Sequence, residues 1–133
     1  MDEKFSRDLL DTLIENSSRV LVLGCGVGWA ESAFFDVIKL LKQEQRLKKH
    51  FLKRVSAEFS LPAPGITPSG ISTELIELVA HELKWPELLE LAQQRIDTIF
   101  KGDKALAIGD VATRLASAYE DQWQDREFYE RYR

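Results

Sequence analysis

RVLVLGCGVGWAES, residues 19–32, is the stretch on which the fold class turns. Its first five residues are an apolar, β-branched run that reads either as a buried strand or as part of a buried helix. Gly24, Gly26 and Gly28 follow at alternate positions. Each glycine inside a helix costs about 1 kcal/mol relative to alanine, so a helix running straight through them is disfavoured. A tight turn or close packing between helices is the use these glycines suit best, and a short strand at residues 19–23 stays open.

The flanking sequence is helical. Residues 3–15 place Phe5, Leu9, Leu10, Leu13 and Ile14 on one face, and Asn16-Ser17-Ser18 then supplies cap or turn chemistry. From Trp29 to Phe59 apolar residues recur at three- and four-residue spacing, with a bend expected at Gln43-Glu44-Gln45. Residues 60–72, SLPAPGITPSGIS, hold three of the four prolines and read as an irregular loop between two helical halves. Ser72 or Thr73 can cap a helix carrying Leu75, Ile76, Val79 and Leu83 inward. Pro86 suits the first turn of the next helix, and Gly102 its end. A third helix, capped by Asp103, is expected through Leu106, Ile108, Val111, Leu115 and Tyr119, with the tail QWQDREFYERYR continuing helically. The expectation is an all-α fold, a bundle or short array of helix hairpins forming one domain over residues 1–133.

Composition narrows the function. No apolar run approaches the ~18 residues of a membrane span, and the polar start MDEKFSRDLL is unlike a secretory signal, so a cytoplasmic protein is expected. The single Cys25 allows no internal disulfide or multi-cysteine zinc site, and reads as a small buried packing residue. The net charge of -4 opposes nucleic acid as a partner. The charge is uneven, however: seven basic residues lie between Lys39 and Arg54 against one acid, Glu44. Such a stretch suits an oppositely charged protein or self-association, or else a solvated helix face.

VLVLGCGVGWAES locally resembles the glycine loop of the S-adenosylmethionine-dependent methyltransferases, at Gly24, Cys25, Gly26 and Gly28. The resemblance implies a strand over Val20–Leu23 and a cofactor approached by the glycine backbone. Val22 stands where that family usually has an acid, and the following helix leads into LKKHFLKR rather than a second strand. The rest of the chain is also short for several strand–helix–strand units of ~30 residues each. IGDVATRLASAY, residues 108–119, resembles the first helix of mercury-resistance-type DNA-binding regulators, but acids rather than a basic recognition helix follow it.

Catalytic chemistry finds little footing. Glu77 and His81 share a helix face at a four-residue spacing but lack a third ligand, and they read as a pair on a solvated helix. His50 reads as a surface residue of the basic helix. No nucleophile motif or phosphate loop is present, and no cofactor or metal is expected. The leading reading is therefore a non-enzymatic protein-interaction domain, with an immunity or antitoxin protein as its analogue in size and charge. The alternative is a small methyltransferase-like protein using Gly24–Gly28. The residues expected to bind a partner are Lys48, Lys49 and Lys53 in the basic stretch, and Trp123 and Tyr129 in the aromatic tail, since Trp, Tyr and Arg dominate binding hot spots.

Overall fold

A computed structural model describes residues 2–133. Helix α1 spans Glu3–Val22, its first turn capped by Asp2, whose side chain accepts from the Phe5 N–H. It runs through Asn16-Ser17-Ser18 without a break, and both serine hydroxyls are satisfied without interrupting the helix. Ser17 Oγ donates to the Ile14 carbonyl at 2.8 Å, and Ser18 Oγ reaches across the fold to the Gly70 carbonyl at 2.9 Å.

The apolar run is therefore the last turn of α1, and the strand allowed at residues 19–23 does not form. Leu23 ends the helix and Gly24 follows with φ +87°, a left-handed conformation that glycine adopts without a Cβ penalty. The Gly24 N–H donates to the Leu21 carbonyl and the Cys25 N–H to the Val20 carbonyl. This pair of bonds is the Schellman stop, which satisfies the helix's orphan carbonyls. Gly26 then begins α2, Val27–Gln43. A Cβ added at Gly24, Gly26 or Gly28 would meet nothing within 4 Å, so Gly24 serves the turn and none of the three serves close helix packing.

α1 and α2 form the most extensive helix pair. The chain breaks at Glu44 as expected, passes one 3₁₀ turn at Gln45–Leu47, and enters α3, Lys48–Phe59. Beyond the loop lie α4, Thr73–Leu83, capped by Ser72 Oγ, and α5, Pro86–Ile99, with Pro86 at its first position. Leu10 and Ile14 of α1, Phe34 and Val37 of α2, Phe51 of α3, Leu75 and Val79 of α4 and Leu88 of α5 belong to one buried cluster. The all-α architecture is thus shown, and the described residues contain no strand.

Two buried charged groups organise the irregular parts. Glu58 turns inward beneath loop 60–72, accepting from the Gly65 N–H at 2.7 Å and the Ile71 N–H at 3.2 Å. Gly70 lies so near that a Cβ there would stand 2.5 Å from Glu58 Oε1. Arg95 of α5 uses all five of its N–H donors. It bonds both carboxylate oxygens of Asp110 at 2.8 Å, the Phe59 and Leu61 carbonyls at 2.7 Å, and the Pro62 carbonyl at 3.3 Å. One side chain so fastens the end of α3, the loop, α5 and the approach to the next helix.

The C-terminal third departs from expectation. Residues 104–109 are turns, with Gly109 at φ +85°, and Leu106 and Ile108 are exposed rather than inward. Helix α6 is a single turn, Val111–Arg114, capped by Asp110 rather than Asp103. It is followed by 3₁₀ turns at Leu115–Tyr119, Gln124–Phe128 and Glu130–Tyr132. The tail is thus not a continuous helix. Trp123 and Tyr129 are drawn individually into the core, Tyr132 is partly buried and Phe128 stays exposed. No helix among the described residues is long and apolar enough to cross a membrane.

Candidate functional site

The first turn of α2 faces the C-terminal turns, and the two are tied by Glu31. Its carboxylate accepts the backbone N–H groups of Glu130 at 2.8 Å and Arg131 at 3.1 Å. Tyr129 is thereby laid against Phe34 and Phe35, with ring centroids 6.4 and 6.2 Å away. Trp123 stacks beside Tyr129 at 6.2 Å and against His81 of α4 at 4.9 Å. Between these turns, α4 and the start of α2 lies a cleft of about 370 Å³. Val27, Gly28, Trp123, Phe128 and Tyr129 form its apolar wall, and Glu74, Glu77, Asp125 and Arg114 supply its charges.

Glu77 is the deepest of these charges, only 5% exposed. Its nearest counter-ion is Arg114, whose Nε stands 3.7 Å from Oε1, beyond hydrogen-bond range. No hydrogen bond from another described residue reaches this carboxylate. Burial pushes its pKa up to about 7; Arg114 pulls it down, and the neighbouring charges of Asp125 and Glu74 add to the rise. Burial and the same acids also raise the Tyr129 hydroxyl well above its ordinary range.

Glu77 and His81 are consequently not a pair on a solvated face. Both are buried, and His81 Nδ1 lies 2.7 Å from the Ala118 carbonyl. In sequence the sign of this was faint. In TELIELVAHEL, Glu77 stands between Leu75-Ile76 and Leu78-Val79-Ala80, so the helix is apolar nearly all round at that turn and leaves the glutamate few solvated directions. Among the described residues no group of three or more His, Cys, Asp or Glu side chains is placed to hold a metal ion.

Trp123 and Tyr129, expected to bind a partner, lie side by side as cleft walls, 4% and 2% exposed, rather than as projecting anchors. The lysines lie elsewhere. Lys48 bonds Glu87 of α5 at 2.9 Å and sits 5.1 Å over the Trp85 ring, so it joins α3 to α5. Lys49 and Lys53 are exposed on α3. His50 is half-buried, with Nε2 3.0 Å from Asp11, and Arg54 donates to the same Asp11 oxygen at 2.9 Å. Burial opposes the ionised Asp11, but these two hydrogen bonds and charges prevail and hold its pKa below the usual value.

The most exposed large apolar residues of this region were not singled out in the sequence. Leu23 is 81% exposed and Trp29 79%, at either end of the α1–α2 turn, with Val22 and Phe128 also exposed. Cys25, expected to be buried, is exposed on the same turn. Because Val20–Leu23 is helix rather than strand, no strand leads into Gly24–Gly28, and the methyltransferase resemblance has no structural counterpart here. No family profile, curated protein or solved structure matches the chain.

Proposed function

We propose that this chain is a protein-interaction domain that engages its partner through the α1–α2 turn. The observation that carries this reading is the exposure of Leu23, at the helix stop that ends α1, and of Trp29, in the first turn of α2. Burying a large apolar side chain is worth about 1.5–3 kcal/mol, and a tryptophan held clear of its own core leaves that free energy for a partner to recover. Val22, Leu23 and Trp29 are all exposed within one short stretch of chain, and exposed apolar surface that gathers in one place marks interaction sites more often than ordinary surface does. The exposed Lys49 and Lys53 then act at a distance, steering an acidic partner rather than anchoring it.

A photo-reactive residue at position 29, used in extract of the source cells, tests this. A single stoichiometric adduct is expected, absent when the same probe is placed at the exposed position Lys53. The Leu23→Ser/Trp29→Ala variant is expected to melt within a few degrees of the parent while losing the interaction. A sedimenting monomer that forms no adduct at position 29 rejects the reading.

A further inference from the structure

The cleft beside the turn has a chemistry of its own. Glu77 is only 5% exposed, its carboxylate lines the cleft, and no hydrogen bond from another described residue reaches it. Its ion-pair partner, Arg114, stands off at 3.7 Å and is itself about half exposed. Glu74 and Asp125 add two carboxylates at the rim, so acids outnumber bases three to one in the cleft. These carboxylates do not converge in the manner of a metal site. They surround a volume of about 370 Å³ whose opposite wall is apolar. Such a space suits a charge carried on a hydrocarbon stem, with the stem against Phe128 and the charge near Glu77.

We propose that this cleft receives the cationic side chain, lysine or arginine, of the partner polypeptide, with Glu77 as its counter-ion. This rests on the interaction reading above and deepens it. Val27 and Gly28 belong both to the cleft wall and to the turn that carries Trp29, so a peptide covering the turn passes the cleft mouth. The incoming cation takes over the role that Arg114 fills loosely, and Arg114 swings toward solvent. The groups facing Glu77 are Glu74 and, one helical turn on, His81 from α4, Arg114 from α6, and Asp125 and Tyr129 from the C-terminal turns. Because Glu77 ionises near neutrality, affinity for a cation rises by up to about tenfold from pH 6 to pH 8.

The test is a nuclear magnetic resonance titration of the full chain with capped lysine and capped arginine residues. Capped norleucine serves as the uncharged control and butylamine as a free amine. The charged residues are expected to move the Trp123 indole resonance and the Glu77, Arg114 and Asp125 amides, and norleucine to leave them in place. Glu77→Gln and Asp125→Asn are each expected to weaken binding at least threefold while circular dichroism stays unchanged. Asp125→Asn guards the result if Glu77→Gln perturbs the fold. An equal response to norleucine, or unchanged binding in both variants, overturns the proposal. A response to butylamine without one to either capped residue overturns the assignment to a polypeptide. The position-29 cross-link is read separately, so the turn and the cleft can fail independently.

Discussion

Arg95 and Glu77 show how differently two buried charges can stand in one small core. Every donor of Arg95 is matched, two of them by Asp110 in a forked pair. Removing the guanidinium would strand the Asp110 carboxylate and the Phe59, Leu61 and Pro62 carbonyls together. Arg95→Ala is therefore expected to cost about 3–5 kcal/mol in urea denaturation. Arg95→Lys should recover little, because an ammonium cannot reproduce the planar fork. Glu77 is the opposite case, a charge the fold tolerates poorly. With its folded pKa raised from 4.5 to about 7, the folded state holds a proton that the unfolded state releases. Stability from this group is unaffected below about pH 4.5, declines as pH rises to about 7, and is level above that. Glu77→Gln removes the cost, and at pH 8 it is expected to stabilise by up to about 3 kcal/mol, vanishing near pH 4. A variant less stable than the parent at pH 8 would mean that the Arg114 contact outweighs burial.

Among the elements, the glycine-rich turn gives the clearest separation of roles. Gly24 occupies a left-handed position, whereas Gly28 sits inside α2 with open space about it. Gly24→Ala is expected to destabilise by about 1 kcal/mol, and Gly28→Ala to be neutral or mildly stabilising, by thermal melts. The methyltransferase-like use of these glycines would require the backbone approach at both sites, and so comparable losses. Helix boundaries marked by local chemistry were legible beforehand: the break at Glu44, the Ser72 cap and Pro86 at the start of α5. Ser17 and Ser18 misled because the group that satisfies Ser18 is Gly70, 52 residues away. Asp103 and Asp110 are both credible caps in sequence. The reach of Arg95 into Asp110 is what places the helix start at the second.

Across the whole molecule, the charges divide into those that hold the fold and those left for solvent or a partner. Asp11 and Asp110 both face burial that opposes their ionisation. His50 and Arg54 prevail at Asp11, and Arg95 with the Ala112 N–H at Asp110, so both folded pKa values fall below 3.8. Their contribution is present above about pH 3.8 and is lost as pH falls through the lower folded values. Glu77 acts in the reverse sense above pH 4.5. The melting temperature is accordingly expected to be highest between about pH 4 and 5, and Glu77→Gln should flatten the neutral side of the profile. A maximum at pH 7 or above would contradict this balance.

The sequence by itself determined the all-α class, most helix boundaries in the first hundred residues and the irregularity of loop 60–72. These follow from periodicity, caps and breakers acting over a few residues. Tertiary structure alone decided that Val20–Leu23 ends a helix, that Glu77 is buried, and that Trp123 and Tyr129 wall a cleft while Trp29 stands free. The physical reason is that local periodicity registers apolar residues without telling which of them the core can hold. The twelve residues QWQDREFYERYR at the carboxyl end had to fit the space left by five longer helices. That competition for one core, rather than any local preference, sorted the aromatics into buried and exposed.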